Sequence, residues 1–279
     1  GHAYELAASW EDAISLTRQA LSLLEDKQLP DAAYRWEWQL GRLYQQRDGQ
    51  GDIAQAFDGK TATVLAYQQA IASLSAVRQN LLTVNLQVQF SFRDNVEPLY
   101  REYVSLLLGQ SPRTTVEVNG AQPPSQPPSQ ADLAIAVNTL DALHLTELEN
   151  FLGCNLSQLV NLNEREIDPQ AAKIYPIILP DQLATIVDIP GQPLTIFSTP
   201  VSQSTVEATL RDLRQSLTLP GQTPAVLDSA GQLYDWLVAP LVPVLTEADQ
   251  IQTLVFVPDG ALRNIPMGVL YDGTQYLVE

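Results

Sequence analysis

His144 and Cys154 carry the reactivity that nucleophilic catalysis needs, since a cysteine thiolate attacks a carbonyl only with an imidazole within hydrogen-bond reach. They stand on or beside one predicted helix. At a rise of about 1.5 Å per residue that separation is roughly 15 Å, so the spacing predicts no dyad. The only other histidine, His2, lies near the free end and reads as a remnant of the chain's start. Glu164, Glu166 and Asp168 in "NEREIDP" are the residue types that ligate a divalent cation, but an acidic surface loop accounts for them first. No metal and no cofactor is expected. Arg35, Trp38 and Arg42 fall on one helical face at three- and four-residue spacing. Guanidiniums fork onto carboxylates and an indole offers a large apolar anchor, so this face could grip a carboxylate-bearing peptide. Arg263, between Leu262 and Asn264, is expected to have a satisfied surface role, with orienting a group in the intact domain as the alternative. Asp259-Gly260 and Asp272-Gly273 read as turns, because such pairs accept positive φ.

The composition narrows the classes of partner. In 279 residues, 45% are hydrophobic and 17% charged, which is globular and large enough for about two domains. With 15 Lys+Arg against 32 Asp+Glu the net charge is -17, which argues against phosphate backbones and anionic membranes, so neither nucleic acid nor membrane is expected as a partner. A single cysteine excludes an internal disulfide, and no apolar run reaches the roughly 20 residues needed to span a bilayer. No signal peptide is visible at the start, so a soluble cytoplasmic protein, or a fragment excised from one, is the expectation.

The elements that must position these residues begin with helices. Leu6, Trp10, Ala13, Ile14, Leu16, Ala20, Leu21 and Leu24 keep mostly helical spacing. Pro30-Asp31 predicts a break and an N-cap, after which Ala33, Trp36, Leu40, Leu43 and Tyr44 form a second stripe. Beyond the turn at residues 49–52, Ile53 to Ala56 begins a helix that Asp58-Gly59-Lys60 is predicted to interrupt before it resumes through Val77.

Leu40, Gly41, Tyr44, Gly51-Asp52, Ala56, Tyr67, Ala70 and Ile71 together resemble the tetratricopeptide repeat, a pair of helices that pack closely where their residues are small. Gly41 and Ala56 are the small positions. "WEDAISLTRQAL" resembles the second helix of a preceding repeat. The chain departs from the pattern where Glu37, between Trp36 and Trp38, holds the first-helix tryptophan position, and in about seven extra residues around 57–63. The resemblance implies a groove that binds a protein or peptide through Arg35, Trp38, Arg42, Gln45 and Gln46, and solvated charges around a core tryptophan are the competing reading for so short an array.

Leu82, Val84, Leu86, Val88, Phe90 and Phe92 alternate with polar residues, which predicts a short extended connector. Asp94 is the expected cap of a helix from Val96 to Leu107 that tolerates Pro98 in its first turn. "SPRTTVEVNGAQPPSQPPSQ" has the composition of a semi-extended linker. The expected organisation is therefore helical repeats over 1–110, a Pro-rich linker over 111–130 and a mixed domain over 131–279. In the last, "DLAIAVNTLDALHLTELENFL" predicts a helix and "KIYPIILPDQLATIVDIPGQPLTIFSTPV" three short strands with turns at Pro180-Asp181 and Pro190-Gly191-Gln192-Pro193. Helices over Thr205–Leu217 and Ala230–Leu245 follow, then a buried strand at Leu254–Val257 and a hairpin containing the apolar run Ile265–Tyr271.

"FSFRDNVEPLYREYV", "TELENFLGC", "IYPIILPDQL", "PGQPL" and "LVFVPDGALRNIPMGVLYDGTQYLVE" resemble the CHAT family, a bacterial caspase-like domain joined to tetratricopeptide repeats. The fold class this implies is an α helical-repeat (TPR-like) N-terminal half and an α/β caspase-like C-terminal half with a mostly parallel sheet. Active members resemble cysteine peptidases with a His and Cys dyad, both C-terminal to the segment where this chain ends. An apolar run with no later strand to pair it predicts a sheet that has only just started. The chain is thus expected to hold no catalytic residues and not to be an enzyme by itself, although a longer parent could be a peptidase. A natural non-catalytic scaffold of the same fold is the competing expectation.

Overall fold

The computed structural model describes residues 10–25, 30–48, 53–84, 96–109, 127–152, 168–219, 221 and 223–278. The chain divides into two compact units, Gly1–Pro128 with Asn138–Asn161, and Ser129–Val137 with Leu162–Glu279.

Helices α1 (Trp10–Glu25), α2 (Pro30–Asp48) and α3 (Ile53–Val84) build the first unit, with α2 packed against both neighbours. The periodic apolar residues do this. Ala13 and Ile14 of α1 meet Leu40, Leu43 and Tyr44 of α2 and Ala66 of α3 in one buried cluster. Buried Thr17 returns its hydroxyl to the Ala13 carbonyl at 2.7 Å, so it costs the core no unsatisfied donor. Two expectations are corrected here. Pro30 is the first residue of α2, which places Asp31 inside the first turn and not at the N-cap. Helix α3 also continues through Asp58-Gly59-Lys60 without a break, since one interior glycine costs only about 1 kcal/mol against cooperative helical hydrogen bonding on both sides.

Helix α4 (Glu97–Leu107) lies against α3 and buries Leu99, Tyr100, Tyr103, Val104 and Leu107, with Pro98 in the first turn as expected. Val96 precedes it and makes no side-chain cap bond. The predicted cap Asp94, the alternating connector beyond Val84 and linker residues 111–126 lie outside the described residues. Helix α5 (Gln130–Leu152) opens on a reciprocal cap: the Asp132 N–H donates to Ser129 Oγ at 3.1 Å, and the Ser129 N–H donates to Asp132 Oδ2 at 3.2 Å.

In the second unit, β1 (Ala171–Ile178), β2 (Leu183–Asp188), β3 (Thr195–Thr199) and β4 (Thr253–Phe256) form one sheet in the order β3-β2-β1-β4. The three strands predicted over this stretch and their two turns are present. The sheet is mixed, however: β1–β2 and β2–β3 are antiparallel, and β1–β4 is parallel. Connection length is the cause. Residues 179–182 and 189–194 are too short for a crossover, with Gly191 at φ 79 turning the second, so each joins antiparallel neighbours. Strand β4 is reached only after α6 (Gln203–Thr218), α7 (Thr223–Leu237), a 3-10 turn at Ala239–Leu241 and α8 (Val242–Glu247), long enough for a parallel return.

Apolar clusters surround the sheet. Leu183 packs with Val206, Leu210 and Leu213 of α6 and Ala230, Leu233 and Leu237 of α7, while Ala172, Ile174, Val187 and Ile189 pack with Leu241 and Ala248. Near-continuous apolar runs in β1 and β2 are therefore buried on both faces. The second predicted helix begins earlier, at Thr223, and breaks before Pro240, which lacks the donor to continue it. Strand β4 sits at the sheet edge and alternates exposed Thr253 and Val255 with half-buried Leu254 and Phe256, so it is not the buried strand expected. Ile265–Tyr271 is not a strand either. It forms a 3-10 turn (Met267–Val269) that follows another at Gly260–Asn264, with Pro266 between them and Ile265 and Leu270 driven into the core. The hairpin survives as a Tyr271–Tyr276 bridge around Asp272-Gly273, with Gly273 at φ 99.

Candidate functional site

Arg35, Trp38, Arg42, Gln45 and Gln46 all lie on α2, whose last turn carries Arg47 against the helix dipole. The buried side of α2 is fixed by Leu40, Leu43 and Tyr44. The Trp38 indole N–H donates to Glu102 Oε2 at 2.6 Å, and the Tyr67 hydroxyl donates to the same oxygen at 2.9 Å. One carboxylate of α4 therefore ties α2 to α3. Tyr67 is fully buried and stacks on Tyr103 with centroids 5.9 Å apart and planes within 10°. Burial first, and then the Glu102 charge beside it, push the Tyr67 hydroxyl well above its ordinary pKa, so it stays a donor.

Arg42 completes the group by lying over the indole, its Cζ 4.6 Å from the Trp38 centroid. Arg42 Nε, Gln45 Nε2 and Gln46 Oε1 are shielded from solvent without a hydrogen-bond partner. Trp38 and Arg42 thus come together as the spacing indicates, while Arg35 does not join them. It donates from Nε to the neighbouring Tyr34 hydroxyl at 3.0 Å and lies 5.6 Å from that ring. Sequence reasoning missed Glu102, although a lone carboxylate between Tyr100 and Tyr103 on a helix with a buried aromatic face was a usable signal.

The other reactive candidates are dispersed. His144 lies on α5, whereas His2, Cys154, Glu164 and Glu166 are outside the described residues. Asp168 accepts the Gln170 N–H at 2.8 Å, which is a turn contact. Among the described residues no group of three or more His, Cys, Asp or Glu could hold a metal ion, and no helix is long and apolar enough to cross a membrane. Arg263 donates from Nε to the Pro258 carbonyl at 2.9 Å and so closes the turn between β4 and the 3-10 segment Gly260–Asn264. Asp272 accepts from the Thr274 N–H, the Thr274 hydroxyl and the Gln275 N–H, at 2.7, 2.7 and 2.8 Å. These bonds, the Gln275 one foremost, hold its carboxyl below the usual carboxylate range.

A helix-flanked mixed sheet with a short edge strand and a tight terminal hairpin defines the class of the second unit. Residues 227–279, from within α7 through β4 to that hairpin, match the family model of the CHAT domain. No curated protein is significantly similar to the chain.

Proposed function

We propose that this chain is a protein-interaction module, built on TPR-like helices, joined to the N-terminal part of a caspase-like CHAT domain. The partner site is the α2 stripe of Arg35, Trp38, Arg42, Gln45 and Gln46, and the partner is a protein or peptide with acidic side chains. The observation that carries this is the Arg42 guanidinium held 4.6 Å over the Trp38 ring while the indole N–H is committed to Glu102. A cation fixed on a rigid aromatic loses little side-chain freedom when it meets a carboxylate. The CHAT match over residues 227–279 supports the second half. The chain itself performs no peptide hydrolysis, and in a longer bacterial parent the His and Cys of a cysteine peptidase would lie beyond these residues. Work in the cytoplasm is in keeping with one cysteine in 279 residues.

The test is binding to an array of acidic peptides. Trp38→Ala with Arg42→Ala should abolish capture while circular dichroism stays unchanged. Undiminished capture by that folded double variant would refute the stripe.

A further inference from the structure

Gln130, in the first turn of α5, reaches the sheet. Its Nε2 donates to the Leu194 carbonyl at 2.9 Å, and the Leu194 N–H donates to its Oε1 at 3.0 Å. Leu194 immediately precedes β3, which among the described residues is the outermost strand on its side of the sheet. A carboxamide is the chemical group of the peptide bond. With Leu194 it therefore makes the pair of bonds that the main chain of an adjoining strand would make. Gln130 is itself held in place, because the reciprocal Ser129–Asp132 cap fixes the start of the helix.

The rest of this edge follows from alternation. Residues two apart in a strand direct their main-chain groups to the same side, so Leu194 sets those of Ile196 and Ser198 outward. Thr195, Phe197 and Thr199 turn theirs toward Val187, Thr185 and Leu183 of β2. Edge strands are ordinarily blunted by charge or by proline within them. Residues 189–206 contain no Asp, Glu, Lys or Arg, and Pro193 and Pro200 stand outside residues 194–199, at their two ends. In a chain of net charge -17, this is a strand on which two copies can meet without like charges facing one another.

We propose that the outer edge of β3 pairs, antiparallel, with the same edge of a second copy of this chain, and that Gln130 is the autoinhibitory contact that occludes it. Symmetry selects this occupant. A two-fold axis at Ile196 sets that residue against its own counterpart and Leu194 against Ser198 at each end. Because Leu194 supplies one partner of each end pair, the two Gln130 side chains block both ends and leave only the centre. The product closes as a dimer, since each copy spends its β3 edge. It is independent of the Trp38–Arg42 stripe.

Sedimentation velocity over a concentration series tests it. Gln130→Ala should strengthen self-association by about tenfold or more over the unmodified chain, with circular dichroism unchanged. Salt should strengthen it further, because both copies carry a net charge of -17. Ser198→Pro, added to Gln130→Ala, removes an outward N–H while sparing the β2 ladder and should return the monomer. Hydrogen exchange at the Ile196 and Ser198 amides of Gln130→Ala should slow as the dimer forms. Equal self-association of the unmodified chain and Gln130→Ala overturns the proposal, as does assembly beyond the dimer. A Gln130→Ala dimer that survives Ser198→Pro, or that leaves those two amides exchanging as before, overturns the edge assignment. A Gln130→Ala chain that stays monomeric but binds an added peptide copying residues 194–199 overturns the choice of a second copy.

Discussion

Gly41 of α2 lies against the ring of Tyr67 on α3: a Cβ added to Gly41 would stand 2.8 Å from both Cδ2 and Cε2 of that tyrosine. The glycine sets the distance between the two helices. The same tyrosine is fully buried, stacked on Tyr103 and bonded to Glu102, so it cannot turn aside. Helix propensity would favour alanine at position 41 by about 1 kcal/mol, and the contact overrides it.

Gly41→Ala is therefore expected to destabilise the helical unit by about 1–3 kcal/mol, the usual cost of overpacking a well-filled core. Urea denaturation followed by tryptophan fluorescence measures it. An unchanged or higher midpoint would show that the helices separate freely here.

The Glu102 carboxylate is expected to be the clasp between α2, α3 and α4. Trp38→Phe removes one donor, and Glu102→Leu strands both donors. A double-mutant cycle should return a coupling of about 1–2 kcal/mol between positions 38 and 102. Additive effects would mean that the 2.6 Å bond contributes nothing in solution.

The sequence was most legible where local chemistry and tertiary packing agree. Gly41 is visible because only a small residue suits a close helix crossing, and strands β1 to β3 because Pro180-Asp181 and Pro190-Gly191 punctuate apolar runs. It was misleading where tertiary context decides. Asp58-Gly59-Lys60 looks like a breaker, yet a long helix carries it, and Ile265–Tyr271 looks like a strand until Pro266 splits it into turns. Of the candidate site, the Trp38–Arg42 pair follows from four-residue spacing. Glu102 does not, because it meets Trp38 across 64 residues of sequence, a distance that no periodicity encodes. Sheet direction was equally hidden, since the resemblance implied parallel strands and only loop length decides the pairing of β1, β2 and β3.

Alkaline pH should expose Tyr67. Its folded pKa is raised above the ordinary 10.0 by burial and by Glu102, so the unfolded chain loses that proton first. The associated stability is present below the unfolded pKa and is lost as pH rises toward the folded one. Between about pH 9 and about pH 11 the unmodified chain should lose stability more steeply than Tyr67→Phe. Parallel pH profiles for the two would contradict the burial of an un-ionised hydroxyl.

The central claim is that these residues bind and do not cleave. Cysteine-peptidase chemistry needs a thiolate, an imidazole and an oxyanion hole held together, and this chain offers one cysteine, Cys154, with His144 and His2 as its histidines. The direct measurement is turnover of a peptide library by the unmodified chain beside Cys154→Ser, with labelling by a thiol-reactive probe at low concentration in parallel. No turnover and no selective labelling in either protein is the predicted result. Peptide cleavage by the unmodified chain that disappears in Cys154→Ser would contradict the account.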